Sequence, residues 1–217
     1  MSSPELFVVA TPIGNLGDIT LRALEVLKEV DFVVCEDTRR TSNLLNHYGI
    51  RKPLVSYYAP REREKAEVII QKLLEGKKAA LVTDAGTPLL SDPGAILVKK
   101  AVNRGIRVIP VPGPSSLTAA LSASALGCLR FVFWGFPKRK GKRDLETLKE
   151  FPGCLVFFER ASRVPKLMKK ALEVFGDREC EIHRELTKVH EEILRGKISD
   201  FLQWEGRGEV VLIISSR

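Results

Sequence analysis

Glu36-Asp37-Thr38-Arg39-Arg40 places four charges within five residues, directly after the apolar run at 31–35. A carboxylate at the end of a strand can take a proton from a hydroxyl, and a guanidinium beside it can hold a phosphate oxygen through paired N–H donors. Glu36, Asp37 and Arg39 are therefore candidates for handling a substrate, with Arg40 as a further anion contact. A surface ion-pair cluster that caps the next helix explains the same residues without chemistry. Asp84-Ala85-Gly86-Thr87-Pro88, followed by Ser91-Asp92-Pro93-Gly94, comes after a second apolar run at 79–82. Gly86 tolerates backbone angles closed to other residues and lets a ligand approach the main chain, while Pro88 and Pro93 stiffen the bend. Asp84 either accepts a hydrogen bond from such a ligand or holds its own loop as an Asx turn. Lys138-Arg139-Lys140-Gly141-Lys142-Arg143 has five cations in six positions, beside Phe133, Trp134 and Phe136. A solvated loop is the ordinary reading of such a run; contact with an RNA backbone, aided by aromatic stacking, is the other.

The elements that must position these groups follow from periodicity. Apolar runs at 6–10, 31–35, 54–57, 79–82 and 106–111 read as strands. Between them, Thr20 caps a helix carrying Leu21, Leu24, Leu27 and Val30, a second helix spans about 41–48, and a third spans 61–75 with Ala66, Ile69, Ile70, Leu73 and Leu74 inward. Asp92 is placed to cap a fourth, with Pro93 at its first position, running to Arg104. Strand and helix alternate up to about residue 125, which predicts a largely parallel sheet whose loops at 11–18, 36–40, 84–88 and 112–116 share one edge. Ala125-Leu126-Gly127 marks a shift in composition. Beyond it, strands at 131–135, 154–158, 179–184 and 209–215, a helix from a Ser162 cap to Phe175, a segment at 191–195 and a short helix near 199–204 predict a smaller α/β domain with a mixed sheet. The expected domains are thus 1–125 and 126–217.

Composition narrows the class. The 217 residues are 44% hydrophobic, enough for a core, and carry a net charge of +8, a mild pointer to a polyanionic partner. Apolar runs fall short of the ~20 residues a membrane span needs, and a signal peptide is not expected. Cys35, Cys128, Cys154 and Cys180 form no CxxC pair, so buried thiols in a reducing cytoplasm are expected, with no metal. The dinucleotide and phosphate-loop glycine patterns are both missing. Three isolated histidines, His47, His183 and His190, have no evident nucleophile partner.

Six motifs occur in order: Thr11-Pro12-Ile13-Gly14-Asn15-Leu16-Gly17-Asp18-Ile19-Thr20; Glu36-Asp37-Thr38-Arg39; Asp84-Ala85-Gly86-Thr87-Pro88 with Ser91-Asp92-Pro93-Gly94; Pro112-Gly113-Pro114; Gly135-Phe136; and Arg184-Glu185-Leu186-Thr187-Lys188. Together they make the chain resemble the ribosomal RNA small subunit cytidine 2′-O-methyltransferase family, within the tetrapyrrole methylase-like superfamily. The resemblance runs from Leu6 to Ile214. It implies a two-domain α/β fold, S-adenosylmethionine in the cleft between domains, a homodimer, and a cytidine ribose of the decoding centre as acceptor, within an assembled particle. Longer members carry an extra C-terminal segment for RNA, so RNA grip here is expected from the two domains. The resemblance places Pro12, Asp84, Ala85, Gly86, Thr87, Pro88, Ser115, Ser116, Phe158, Leu186 and Thr187 beside the cofactor, with the backbone of Gly86 and Thr87 on its amino-acid tail. Ser115 and Ser116 also suit a helix N-cap, and Phe158 also suits a core. Lys188 joins Glu36, Asp37 and Arg39 as a catalytic candidate, since a partly desolvated amine can act as a base. RNA contacts are expected from Arg39, Arg40, Lys138, Arg139, Lys140, Lys142 and Arg143. The competing functions are a small-molecule or protein methyltransferase on this fold, and a non-catalytic RNA- or nucleotide-binding protein.

Overall fold

The computed structural model describes residues 4–58, 62–138 and 142–216. The chain folds as two compact units, Met1–Ser115 and Ser116–Arg217, so the division falls ahead of the compositional shift at 125–127.

The first unit alternates β1 (Glu5–Val9), α1 (Leu21–Glu29), β2 (Phe32–Cys35), α2 (Thr38–His47), β3 (Leu54–Ser56), α3 (Glu62–Leu74), β4 (Lys78–Leu81), α4 (Ala95–Asn103) and β5 (Arg107–Val111). Its strands form one sheet in the order β3-β2-β4-β1-β5, every pairing parallel. Successive side chains of a strand point to opposite faces, and both faces here are covered. Phe32 and Val34 pack with Ile69, Ile70 and Leu73 of α3 and Leu97 of α4. Val33 and Cys35 pack on the other face with Val26 and Leu27 of α1 and Leu45 of α2. Two-sided burial is why β2 is apolar throughout instead of alternating.

Thr20 caps α1 as expected, its hydroxyl accepting from Ala23 N. Two helix starts differ from expectation. α2 begins at Thr38, not near 41, because the Asp37 side chain is its N-cap and accepts from Arg39 N. α4 begins at Ala95, and its N-cap is Gly94 at φ 136°, not Asp92. The reason is steric and polar: a Cβ on Gly94 would sit 3.0 Å from Leu81 Cδ2, and Gly94 N donates to Glu62 Oε1 at 3.0 Å.

The second unit contains α5 (Ser116–Ser122), β6 (Phe131–Gly135), α6 (Lys142–Leu148), β7 (Cys154–Arg160), α7 (Val164–Phe175), β8 (Glu179–Arg184), β9 (Glu192–Lys197) and β10 (Glu209–Ile214). Its sheet is mixed, in the order β6-β7-β10-β8-β9, with only β6 and β7 parallel. α6 and α7 cover one face, where Leu145, Leu167, Met168 and Ala171 pack on Leu155, Phe157, Ile182 and Leu212. Ser162 does not cap α7; it lies in a 3₁₀ turn, Ala161–Arg163, and the α-helix starts after it with Pro165 in the first turn. The segment expected at 191–195 is strand β9, and the short helix near 199 is a 3₁₀ turn, Ile198–Phe201.

The cysteines correct the expectation of four thiols. Cys128 and Cys154 are joined by a disulfide, while Cys35 and Cys180 are free and buried. The pairing of β6 with β7 sets Phe131 opposite Cys154 and so brings together two cysteines 26 residues apart. Among the described residues no helix is long and apolar enough to cross a membrane, and no cluster of His, Cys, Asp and Glu could hold a metal ion.

Candidate functional site

In a parallel sheet all strand ends of one kind lie on one edge. The first unit's motifs follow β1, β2, β4 and β5 there, and hydrogen bonds bind them to each other. Thr11 and Gly86 form an isolated bridge, N to O at 2.9 Å in both directions. Thr11 Oγ1 donates to Thr83 O at 3.0 Å. Asp84 Oδ1 accepts from Asp37 N at 3.1 Å, and Asp84 Oδ2 lies 3.5 Å from the Arg40 guanidinium. Thr87 Oγ1 donates to Pro114 O at 3.1 Å. Asp84 thus ties the loop after β4 to the loop after β2, a longer reach than the Asx turn considered from sequence.

Gly86 also needs correcting. It sits at φ 90°, and a Cβ there would come within 3.3 Å of Ile13 Cγ2, so glycine suits the position. Yet its N–H and C=O are both engaged by Thr11, so it joins two loops instead of offering its backbone to a ligand tail. Ala85 is exposed, Thr87 is half-buried, and Pro88 is buried. Ser115 follows β5 in the same unit, and Ser116 opens α5 of the second unit.

The charged residues after β2 divide into two behaviours. Asp37 pairs with Arg39 at 2.8 Å, and this bond holds its carboxyl down at about 2. Arg39 is otherwise exposed, its side chain 88% accessible. Glu36 is half-buried; burial pushes its carboxyl up, and the neighbouring charges of Asp84, Asp92 and Asp37 add to the effect. A raised carboxylate is the better proton acceptor of the two.

A cleft of about 260 Å³ opens beside this network. Pro12, Leu16 and Leu44 give it apolar walls; Arg40, Thr41 and Asn43 of α2 line it, and Thr11, Thr83 and Asp84 complete it. Among the described residues the buried Thr83 hydroxyl finds no hydrogen-bond partner. Thr11, Leu16, Thr41, Asn43, Leu44 and Thr83 had not been singled out from sequence as contacts. The one signal was a polar residue, Thr83, directly after the apolar run at 79–82.

In the second unit, β6, β7 and β8 run in the same direction, since β7 and β8 are each antiparallel to β10. Gly135-Phe136, Phe158 and the 184–188 motif therefore share one edge. Phe158 packs edge-on to Phe133 and Phe136, with centroids 4.7 and 5.7 Å away. The loop after β8 is organised by Glu185, whose Oε1 accepts from Glu209 N and from Lys188 Nζ, both at 2.9 Å. Burial raises the Glu185 carboxyl, but these donors outweigh it and hold it below the usual value. Leu186 is buried, Thr187 N donates to Glu191 Oε2 at 2.6 Å, and Lys188 also lies 3.7 Å from Glu209. Lys138 and Arg143 are exposed, and Lys142 pairs with Glu173 at 2.7 Å. Arg139 and Lys140 lie outside the described residues.

Strain gathers at these motifs. The non-glycine residues with positive φ among the described ones are Leu89 and Ser91 in the first unit and Glu185 and Thr187 in the second. Such backbone costs on the order of 1–3 kcal/mol per residue and concentrates at ligand sites.

The family model described as tetrapyrrole (corrin/porphyrin) methylases matches residues 5–202. The chain is 45% identical to ribosomal RNA small subunit methyltransferase I of Thermotoga maritima, over 98% of this chain and 99% of that one. It is 44% identical to the protein of the same name from Escherichia coli O157:H7, over 98% of this chain and 78% of that one. Among solved structures, uroporphyrin III C-methyltransferase from Thermus thermophilus superposes with a TM-score of 0.71 at 18% identity, covering 96% of both chains. A diphthine synthase gives 0.75 at 14% identity, covering 98% of this chain and 89% of that one. These two likenesses establish the fold. The chain belongs to the tetrapyrrole (corrin/porphyrin) methylase family, among the ribosomal RNA small subunit methyltransferase I proteins.

Proposed function

We propose that this protein transfers a methyl group from S-adenosylmethionine to the ribose 2′-hydroxyl of a cytidine in small-subunit ribosomal RNA. The observation that carries the reading is 45% identity, end to end, with a ribosomal RNA small subunit methyltransferase I. Bound S-adenosylmethionine supplies an electrophilic methyl group on a sulfonium that is already a good leaving group.

The residues fit such a donor. Ala85 and Thr87 present main chain beside the Asp84 carboxylate, a donor–acceptor set suited to an amino-acid tail. Pro12, Pro88 and Ser115 belong to the same edge of the first unit. Ser116 follows in the second, where the Phe158 cluster and Leu186–Thr187 offer an aromatic and apolar wall for an adenosine. Gly86 contributes by fixing the loop through Thr11.

The protein's own part in the chemistry is positioning and one proton transfer. As the new O–CH₃ bond forms, the 2′-hydroxyl proton passes to the Glu36 carboxylate. Asp37 holds Arg39 in place, and Arg39 and Arg40 meet the RNA backbone. Lys188, held by Glu185 and Glu209, steadies the second unit's loop. Lys138, Arg139, Lys140, Lys142 and Arg143 extend the cationic surface that the net charge of +8 supplies. The acceptor is the assembled small-subunit particle, met in the cytoplasm by a homodimer.

The test incubates the protein and labelled S-adenosylmethionine with small-subunit particles lacking ribose methylation, with naked RNA alongside. Label in a 2′-O-methylcytidine supports the reading. Cofactor binding without transfer to either acceptor would favour a binding protein, and label on a base or a protein would refute the ribose.

A further inference from the structure

We propose that the cleft beside α2 seats the base of the target nucleotide, next to the loops that hold the methyl donor and sharing Pro12 and Asp84 with them, with Asn43 reading the base edge and Arg40 taking an adjacent phosphate. The inference rests on the RNA-methylation reading and assigns the substrate subsite within it.

Volume comes first. At about 260 Å³ the cleft is below the ~300 Å³ lower end for pockets that enclose drug-sized ligands. It suits one ring system, with sugar and phosphates outside, and is too small for an entire S-adenosylmethionine. Its lining is consistent with that. Pro12, Leu16 and Leu44 provide apolar surface for the faces of a planar ring. Asn43 is exposed and carries both an amide donor and an acceptor, which matches an amino group beside a ring nitrogen, as on the pairing edge of cytosine. The Arg40 side chain is 68% accessible and pairs with Asp84 at 3.5 Å, so it can turn to a phosphate.

On the donor-binding loops, Gly86 N–H and C=O are used by Thr11, and Thr87 Oγ1 is used by Pro114. In the cleft wall, by contrast, the Thr83 hydroxyl is buried and has no partner among the described residues. A buried orphan hydroxyl asks for a ligand or a water, and it lies next to Asp84, which braces Arg40 and the start of α2. Glu36 immediately precedes Asp37, the N-cap of α2, so a base held here brings its ribose to the carboxylate that accepts the proton. Enzymes that work on a nucleotide commonly take it out of its stack into such a pocket.

The experiment compares wild type with Asn43→Ala and Arg40→Ala. It measures the Kd for S-adenosylmethionine by calorimetry, and kcat/KM on particles carrying cytidine or uridine at the target position. Both variants should keep the wild-type melting temperature and bind the cofactor within twofold. Asn43→Ala should lose at least tenfold in kcat/KM with cytidine and lose cytidine–uridine discrimination. Arg40→Ala should raise KM and flatten the salt dependence of particle binding by about one phosphate contact. A tenfold weaker cofactor Kd in Asn43→Ala would give the cleft to the methyl donor and overturn the inference. So would unchanged kcat/KM and discrimination in an active enzyme. Wild-type protein that binds the cofactor but methylates no particle would instead refute the functional reading beneath it.

Discussion

At the scale of single residues, the carboxylates after β2 have opposite electrostatics although they are adjacent in sequence. Asp37 is held near 2 by Arg39, so it stays ionised throughout the working range. Glu36 is pushed up by burial and by the charges of Asp84, Asp92 and Asp37. A proton acceptor must be ionised to work, so the rate should fall as pH drops through the Glu36 value, above the ordinary ~4.3 of glutamate. Glu36→Gln should remove that acidic limb and lower kcat by roughly 10²–10⁴-fold, the usual worth of general-base catalysis. A kcat–pH profile with the limb intact in Glu36→Gln would assign the base elsewhere. Gly86→Val puts a branched side chain at φ 90° and against Ile13. It should cost about 1–3 kcal/mol, seen in the denaturation midpoint, and weaken cofactor binding in calorimetry by displacing Ala85 and Thr87.

At the scale of elements, Glu181 of β8 is almost fully buried and is held by several neighbours. It accepts from Ala125 N at 2.9 Å and Arg195 Nε at 3.1 Å, and its Oε2 lies 2.9 Å from His183 Nε2. Burial raises the Glu181 carboxyl, but the bonds from Ala125, His183 and Ser124 outweigh it and set it below the usual value. Burial lowers His183 more than Glu181 raises it, so the ring is neutral, with Nε2–H on Glu181 and Nδ1 unpartnered. Both folded values lie below their unfolded ones, so both groups stabilise at neutral pH and lose that contribution on acidification. The loss starts as pH falls below ~6.5, where an unfolded histidine gains a proton, and deepens below ~4.3. Urea midpoints at pH 8, 5.5 and 4 should fall in that order, and His183→Phe should remove the first step; equal midpoints at pH 8 and 5.5 would contradict it.

Element limits were legible where one local signal dominates. Thr20 starts α1 because its hydroxyl finds Ala23 N. Asp92-Pro93 has a good helix-start pattern, yet the chain turns through positive φ at Leu89 and Ser91 and reaches the helix at Gly94. Packing against Leu81 decides that position, and no local pattern carries it. Likewise Ser162 is a fair cap by composition, but the 3₁₀ turn after β7 takes it.

At the scale of the whole molecule, the alternation of strands and helices and the ordered motifs made the parallel sheet and its loop edge readable. The cleft was not readable, because Asn43 and Leu44 sit on a helix face that only the placement of α2 brings beside Thr83. The disulfide was hidden for the same reason: Cys128 and Cys154 meet through strand pairing. Closing 26 residues, it should contribute about 3 kcal/mol, and Cys128→Ser should lower Tm by roughly 6–12 °C. Thiol titration of the unfolded, unreduced chain should find two cysteines, Cys35 and Cys180; four would show the bond does not form.

The central claim is that these loops deliver a methyl group to a ribose of small-subunit ribosomal RNA. Nucleoside mass spectrometry of particles treated with the protein and S-adenosylmethionine tests it most directly. The account predicts a new 2′-O-methylcytidine, made by the wild type and abolished or cut at least tenfold in Glu36→Gln. A methyl group found on a base or on protein, or equal ribose methylation by Glu36→Gln, would contradict it.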